Sequence, residues 1–145
     1  MSKKSRVIGT SDSAISKAES ELGFHFPDTF CEWLKDNNGR SIEDVTVFPV
    51  FDERDTRKTW DSIVRNYQTN WKTWLDNFGS GDDFSHLLPF GGFGTGDFFC
   101  FDFSETGPSG ESIVVLWSHE TGEAKFAAND FAEFVDSVTA GKLQY

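Results

Sequence analysis

The glycine-rich run from 91 to 96, Gly-Gly-Phe-Gly-Thr-Gly, is the first segment whose residues could carry chemistry. Such runs can cradle phosphate, because main-chain amides reach an anion only where side chains do not intrude. A nucleotide-binding loop follows a strand and opens a helix. Here the glycines precede a predicted strand, no Lys-Ser/Thr follows, and Asp97 would repel phosphate. The run therefore predicts a structural turn or bulge.

The three histidines, His25, His86 and His119, are scattered along the chain. None has another histidine or a cysteine at metal-ligand spacing, so no zinc site is predicted. Glu120 follows His119 directly, which suggests acid–base chemistry. Neighbours on a strand point to opposite faces, however, and we expect a structural or solvent-facing histidine.

Two cysteines, Cys31 and Cys100, form neither a disulfide framework nor a CxxC motif. Both lie among large apolar residues, outside the exposed, electropositive setting that activates a thiolate. We expect free thiols that are buried as small hydrophobic side chains, without a disulfide.

Two pairs of carboxylates complete the candidates, Asp82 with Asp83 and Asp97 with Asp102. Calcium loops and glycosidase sites need a fuller ligand pattern or a cleft, so these are expected to be solvated charges. The sequence thus predicts no catalytic residue, no metal and no cofactor.

Two short helices are predicted near the N-terminus. The first begins at a cap among residues 11–13, carries apolar residues at helical spacing and stops at Gly23. The second has Pro27 in its first turn and ends at Asn38-Gly39.

The segment from Trp60 to Phe78 repeats large apolar residues every three or four positions until Gly79-Ser80-Gly81. This spacing predicts one amphipathic helix of five turns. Its aromatic stripe is expected in the core, with a partner-binding groove as the alternative. The stripe consists of Trp60, Ile63, Val64, Tyr67, Trp71, Trp74, Leu75 and Phe78.

The remaining pattern predicts an antiparallel sheet and a closing helix. An extended segment at 45–51 contains Pro49, which places it near a sheet edge. Segments 98–103 and 113–117 are rich in aromatic and β-branched residues and should pair antiparallel. A weaker strand at 125–127 precedes a helix that is capped at residue 129 or 130. This layout is α+β, with a mainly antiparallel sheet and helices packed around it.

Charge is unevenly distributed along the chain. Residues 1–75 hold 12 acids and 11 bases, whereas residues 76–145 hold 12 acids against only Lys125 and Lys142. This second half repels phosphate and anionic membranes and attracts cationic partners. Direct nucleic-acid and membrane binding are therefore not expected. The alternative is that the acids only keep the protein soluble.

An ordered set of short motifs runs through the chain. They are Glu19-x-x-Leu22-Gly23, Pro27-x-x-Phe30, Trp33-Leu34, Asn38-Gly39, Leu88-Pro89-Phe90-Gly91, Gly96-Asp97-x-x-Cys100-Phe101-Asp102, Val114-Val115-x-Trp117-x-His119-Glu120 and Phe131-x-x-Phe134. In order and spacing this set resembles the SUKH superfamily, the Smi/Knr-like fold. The resemblance covers about residues 11–138, with 52–85 as a helix-bearing insert. It implies one SUKH-like α+β domain over 1–145, with a short N-terminal tail at 1–10.

The resemblance also implies a function. Most bacterial members are immunity proteins that bind and neutralise a cognate polymorphic or contact-dependent toxin, often a basic nuclease, and the family has no known catalytic residues. The alternatives are a regulatory protein-binding module without a toxin partner and a small hydrolase whose site is not visible in the sequence. The basic N-terminus lacks an apolar stretch after it, so the cytoplasm is the expected location.

Eight acids of the second half are the predicted partner-binding residues, because they fall in loops and at strand ends. They are Asp82, Asp83, Asp97, Asp102, Glu105, Glu111, Glu120 and Glu123.

Overall fold

A five-stranded antiparallel sheet with helices packed on it makes up the computed structural model, which describes residues 9–78, 83–92 and 96–142. The helices are α1 (Asp12–Leu22), α2 (Asp28–Asn37), α3 (Thr56–Thr59), α4 (Ile63–Asn66), α5 (Lys72–Leu75) and α6 (Phe131–Thr139). The strands are β1 (Thr46–Val47), β2 (Leu87–Gly92), β3 (Phe98–Thr106), β4 (Ser112–Trp117) and β5 (Ala124–Ala128). The predicted α+β class is confirmed.

The strands follow one another across the sheet in chain order, and every neighbouring pair is antiparallel. Phe101 in β3 pairs with Leu88 of β2 and Val114 of β4. Because β1 and β5 each have only one neighbour, they are the two edge strands among the described residues.

The predicted start and end of the first helix and the predicted start of the last helix are confirmed. The hydroxyl of Ser11 accepts from the N–H of Ala14 at the start of α1, and Gly23 ends that helix at a φ of 77°. The carboxylate of Asp130 accepts from the N–H of Glu133 at the start of α6. These caps satisfy main-chain groups that a helix end leaves unpaired.

Strand β3 carries aromatic rings on both faces of the sheet, because successive side chains of a strand alternate. The ring of Phe101 lies 4.4 Å from that of Phe90 and 5.1 Å from that of Phe30, centroid to centroid. On the other face, the ring of Phe98 lies 5.6 Å from that of Trp71. The core is therefore rich in aromatic rings.

The prediction of one helix from Trp60 to Phe78 is wrong. Helix α3 ends at Thr59, and the hydroxyl of Ser62 caps a new helix by accepting from the N–H of Arg65. Trp60 falls in the break with 60% of its surface exposed, so its assignment to the core is also wrong. A side chain that caps a new helix competes with continuation of the preceding helix. The spacing of apolar residues does not reveal such a break when the same spacing continues from one helix into the next.

The second helical piece also departs from the α-helical pattern, because a π-helical turn at Tyr67–Trp71 separates α4 from α5. Such a turn adds a residue and shifts the side chains that follow. Trp71 is fully buried, whereas Trp74 is only partly buried.

Strand β2 is not predicted by its sequence, because a proline and two glycines are unfavourable in a central strand. A register shift between Pro89 and Gly91 accommodates the proline. A Cβ at Gly91 would lie 2.5 Å from the carbonyl oxygen of Thr46, and one at Gly92 would lie 2.8 Å from that of Asp97. The register shift lies just before the glycine run, and Gly91 and Gly92 are themselves paired strand residues. Residues 93–95, where the predicted turn or bulge would fall, lie outside the described part of the chain.

Candidate functional site

The predicted partner-binding acids lie in two groups at opposite ends of β3 and β4. Asp97, Glu120 and Glu123 lie where β3 begins and β4 ends, and Asp97 and Glu123 both border a cavity of about 360 Å³. The other group lies toward the β3–β4 hairpin and consists of Asp102, within β3, and of Glu105 and Glu111, near the turn. At about 3.3 Å per residue, Asp102 lies roughly 16 Å and Glu105 roughly 26 Å along β3 from Asp97.

The other two predicted acids precede β2. Asp83 is exposed, and its carboxylate accepts from the N–H of Ser85 at 2.9 Å. Hydrogen bonds from the side chain and then from the main chain of Ser85 lower the pKa of Asp83. Asp82 lies outside the described residues. The structure therefore does not gather the seven described acids into one patch.

Two acids of the hairpin group are engaged inside the protein. The buried carboxylate of Asp102 accepts from the N–H and the hydroxyl of Ser104, at 2.9 and 2.6 Å. Glu111 accepts from the N–H and the hydroxyl of Thr29, at 3.1 and 2.6 Å. Because Pro27 provides no side-chain cap for α2, Glu111 caps that helix from a distant part of the chain.

Asp97 and His119 form a contact that the sequence analysis missed, since it paired His119 only with its neighbour Glu120. One carboxylate oxygen of Asp97 lies 2.6 Å from Nδ1 of His119 and accepts from the N–H of His119 at 3.0 Å. The ring of Trp74 packs on the imidazole, with centroids 4.7 Å apart. These contacts tie the start of β3, the turn after β4 and the helical insert together.

An aspartate that holds Nδ1 of a histidine is also the orienting half of a catalytic triad, so its chemistry needs consideration. A triad requires a nucleophile within hydrogen-bond reach of Nε2. None of the hydrogen bonds among the described residues places a hydroxyl or a thiol there. The geometry therefore favours a structural role for this pair, as expected for His119.

Neither cysteine has the setting of a nucleophile. Cys100 is fully buried in β3, and this burial raises the pKa of its thiol well above the usual range. Cys31 is half-buried in α2, where burial and then the negative charge of Glu19 raise its pKa to about 11. Both are free thiols, as the sequence predicts.

We expect both thiols to react slowly with a thiol-specific disulfide reagent at pH 8 and quickly once urea unfolds the chain. With a pKa of about 11 for Cys31, on the order of one molecule in a thousand carries the reactive thiolate at this pH. Mass spectrometry of labelled peptides would follow each cysteine separately. Rapid labelling of native Cys100 would contradict its burial, and a large loss of stability with reductant would contradict the free thiols.

One buried carboxylate lies outside the acidic half. Asp52 accepts from the hydroxyl of Thr10 at 2.8 Å and pairs with the guanidinium of Arg54 at 2.6 Å. The hydrogen bond from Arg54 lowers the pKa of Asp52 far below its usual range. With these partners, Asp52 is a structural residue.

The acids of residues 96–142 form no ion pair with lysine or arginine in the described part of the chain. Among the described residues, lysine and arginine form ion pairs that join Lys35 to Asp12 and Glu32, and Arg54 to Asp52. All of these lie in the N-terminal half. Residues 96–142 hold nine acids and two bases, a net charge of −7, without such a pair in the part of the chain that the structure describes.

Two exposed rings mark apolar surface that is open to a partner. Trp60 borders a cavity of about 310 Å³ between α1 and α4, where the guanidinium of Arg65 lies 5.3 Å from its ring. Phe126 in the edge strand β5 is 60% exposed and borders the cavity beside Asp97 and Glu123. Large exposed rings next to cavities are common features of protein interfaces.

These features define a class of protein, a single-domain α+β protein in which helices cover an antiparallel five-stranded sheet. The chain belongs to the SMI1 / KNR4 family (SUKH-1), whose family model matches residues 9–137. The resemblance drawn from the sequence motifs is therefore confirmed. No curated protein was found to match the chain. None of the described helices has the length and apolar character that a membrane span requires.

Proposed function

We propose that this protein is an immunity protein that binds and neutralises a cognate bacterial toxin domain and has no catalytic activity of its own. The family match over residues 9–137 carries the proposal, since family membership is consistent with this role. The site supports it as well. Its His–Asp pair has no nucleophile on Nε2 among the described residues, and burial raises the pKa values of both thiols.

Charge points to the kind of toxin. A nuclease domain needs lysine and arginine to bind phosphate, so its surface is typically basic. The segment 96–142, with its net charge of −7, attracts such a surface over a distance of about one Debye length, near 8 Å at physiological salt. A basic nuclease that is made and held inside the same cell is therefore the proposed partner.

The eight acids remain the proposed contact residues. We expect different contributions from those that are exposed and from those that bond inside the protein. Glu105, Glu120 and Glu123 are exposed and free to reach a partner. Reversing the charge of Asp102 or Glu111 would first break contacts inside the protein. We therefore place the electrostatic test at Glu120 and Glu123, which lie together at the turn between β4 and β5.

Charge reversal at Glu120 and Glu123 should weaken toxin binding without changing the fold. The chain is co-expressed with the toxin domain that is encoded beside its gene, and cell survival and association kinetics are measured. We expect the double variant Glu120→Lys/Glu123→Lys to associate at least about tenfold more slowly at low salt, with a smaller difference at high salt. Asp36→Lys, at an exposed acid of α2, is the matched control and should behave like the parent.

Two results would count against the proposal at different levels. If the parent neither binds nor protects, the immunity function is wrong, and a regulatory binding module of the same family is the remaining reading. If the double variant Glu120→Lys/Glu123→Lys binds and protects as well as the parent at every salt concentration, immunity stands but Glu120 and Glu123 do not contribute to it.

A further inference from the structure

Strand β5 presents an unpaired main-chain edge. Ser118 donates its N–H to the carbonyl of Glu123, so the main chain of Glu123 is directed toward β4. In an antiparallel ladder only alternate residues bond to a given neighbour. Ala124 and Phe126 therefore direct their N–H and C=O groups away from β4, and no described strand lies on that side.

The surface around this edge is suited to an extended chain. Ala124, Lys125 and Phe126 are all exposed, and the cavity of about 360 Å³ lies beside them. Leu116 and Phe126 are among the apolar residues that line this cavity, and its charged lining residues are two acids, Asp97 and Glu123, and one base, Lys125. A strand that adds to β5 would place alternate side chains over this cavity.

We propose that an extended, basic segment of the partner adds to the outer edge of β5 as a further strand. The inference rests on the proposed function and names the surface through which the partner is held. Main-chain hydrogen bonds to Ala124 and Phe126 would supply affinity, and lysine or arginine side chains beside Asp97 and Glu123 would supply specificity. Phe126 would pack on the added strand, as large rings do at the centres of interfaces.

A second copy of this chain is a poorer occupant of the same edge. Two copies paired through β5 would bring together surfaces that each carry the excess of acids in residues 96–142. Like charges disfavour such pairing.

Amide hydrogen exchange tests the inference directly. The full chain is measured alone and in complex with the toxin domain that is encoded beside its gene. We expect the amides of Ala124 and Phe126 to exchange rapidly in the free protein and at least about tenfold more slowly in the complex. On the toxin, the segment that gains protection should contain lysine or arginine.

Substitution at Phe126 provides a second measurement. Phe126→Pro removes the outward N–H, whereas the control Phe126→Val loses the ring and keeps the N–H. We expect the proline variant to bind about tenfold more weakly than the valine variant, the effect of one main-chain hydrogen bond. If Phe126→Pro does not fold, hydrogen exchange on the parent decides alone.

The outcomes separate this inference from the proposed function. Binding and protection of cells without slower exchange at Ala124 and Phe126 would overturn the strand addition and leave immunity standing. Protection of these amides that depends on the concentration of the free protein would instead identify a second copy as the occupant. If the parent does not bind the toxin at all, both proposals fail.

Discussion

Replacing Phe101 by alanine should lower the free energy of unfolding by about 3–5 kcal/mol. Its ring is fully buried between those of Phe30, Phe90 and Phe131, so truncation leaves a cavity that several rigid neighbours border. Such a core cannot close around the missing ring without moving β3. Chemical denaturation, followed by the fluorescence of the buried tryptophans, would measure the loss.

Two tryptophans provide graded controls for this prediction. Trp74→Ala should cost less than Phe101→Ala, because Trp74 is only partly buried against His119. Trp60→Ala should change the free energy of unfolding by less than about 1 kcal/mol, because its ring is mostly exposed. A parent-like denaturation midpoint for Phe101→Ala, or a large loss for Trp60→Ala, would contradict the burial described above.

Asn38→Ala should be the most destabilising change of a polar side chain, at about 2–4 kcal/mol. The side chain of Asn38 is buried and bonds both main-chain groups of Val50, accepting from its N–H at 2.8 Å and donating to its carbonyl at 2.9 Å. Val50 is itself buried, so alanine would leave a donor and an acceptor without partners. The same denaturation measurement applies.

The neighbouring asparagine is the matched control. The side chain of Asn37 donates to the carbonyl of Trp33 within α2 and is only partly buried, so water can replace it. Asn37→Ala should therefore cost less than about 1 kcal/mol. Equal losses for the two alanine variants would mean that the link between Asn38 and Val50 contributes nothing particular to stability.

Caps, periodicity and strand composition predicted several elements correctly. The start of α1 near Ser11, its end at Gly23, the cap of α6 at Asp130 and the pairing of β3 with β4 all follow from local patterns. These features depend on residues a few positions apart or on the alternation of a single strand. A local pattern is sufficient for them because their hydrogen bonds and buried faces are local.

Long-range contacts overrode local preference in other places. Strand β2 was not predicted, because Pro89 and two glycines are poor strand residues, yet a register shift accommodates the proline and the close approach of Thr46 and Asp97 requires the glycines. The long helix was predicted to begin at Trp60, because Trp60 has the spacing of a core residue, whereas Ser62 caps a helix that begins at Ile63. In both places, tertiary packing or a competing cap outweighs propensity.

The sequence by itself determined the family, the fold class and the acidic character of the second half, because order of motifs, periodicity and charge are properties of the chain. Only the tertiary structure decided which acids are free. It buried Asp102, placed Glu111 at the start of α2 and paired Asp97 with His119. It also left the outer edge of β5 open. Asp97 and His119 are 22 residues apart, and Glu111 and Thr29 are 82 apart, so these partners meet only when the chain folds and no local spacing could identify them.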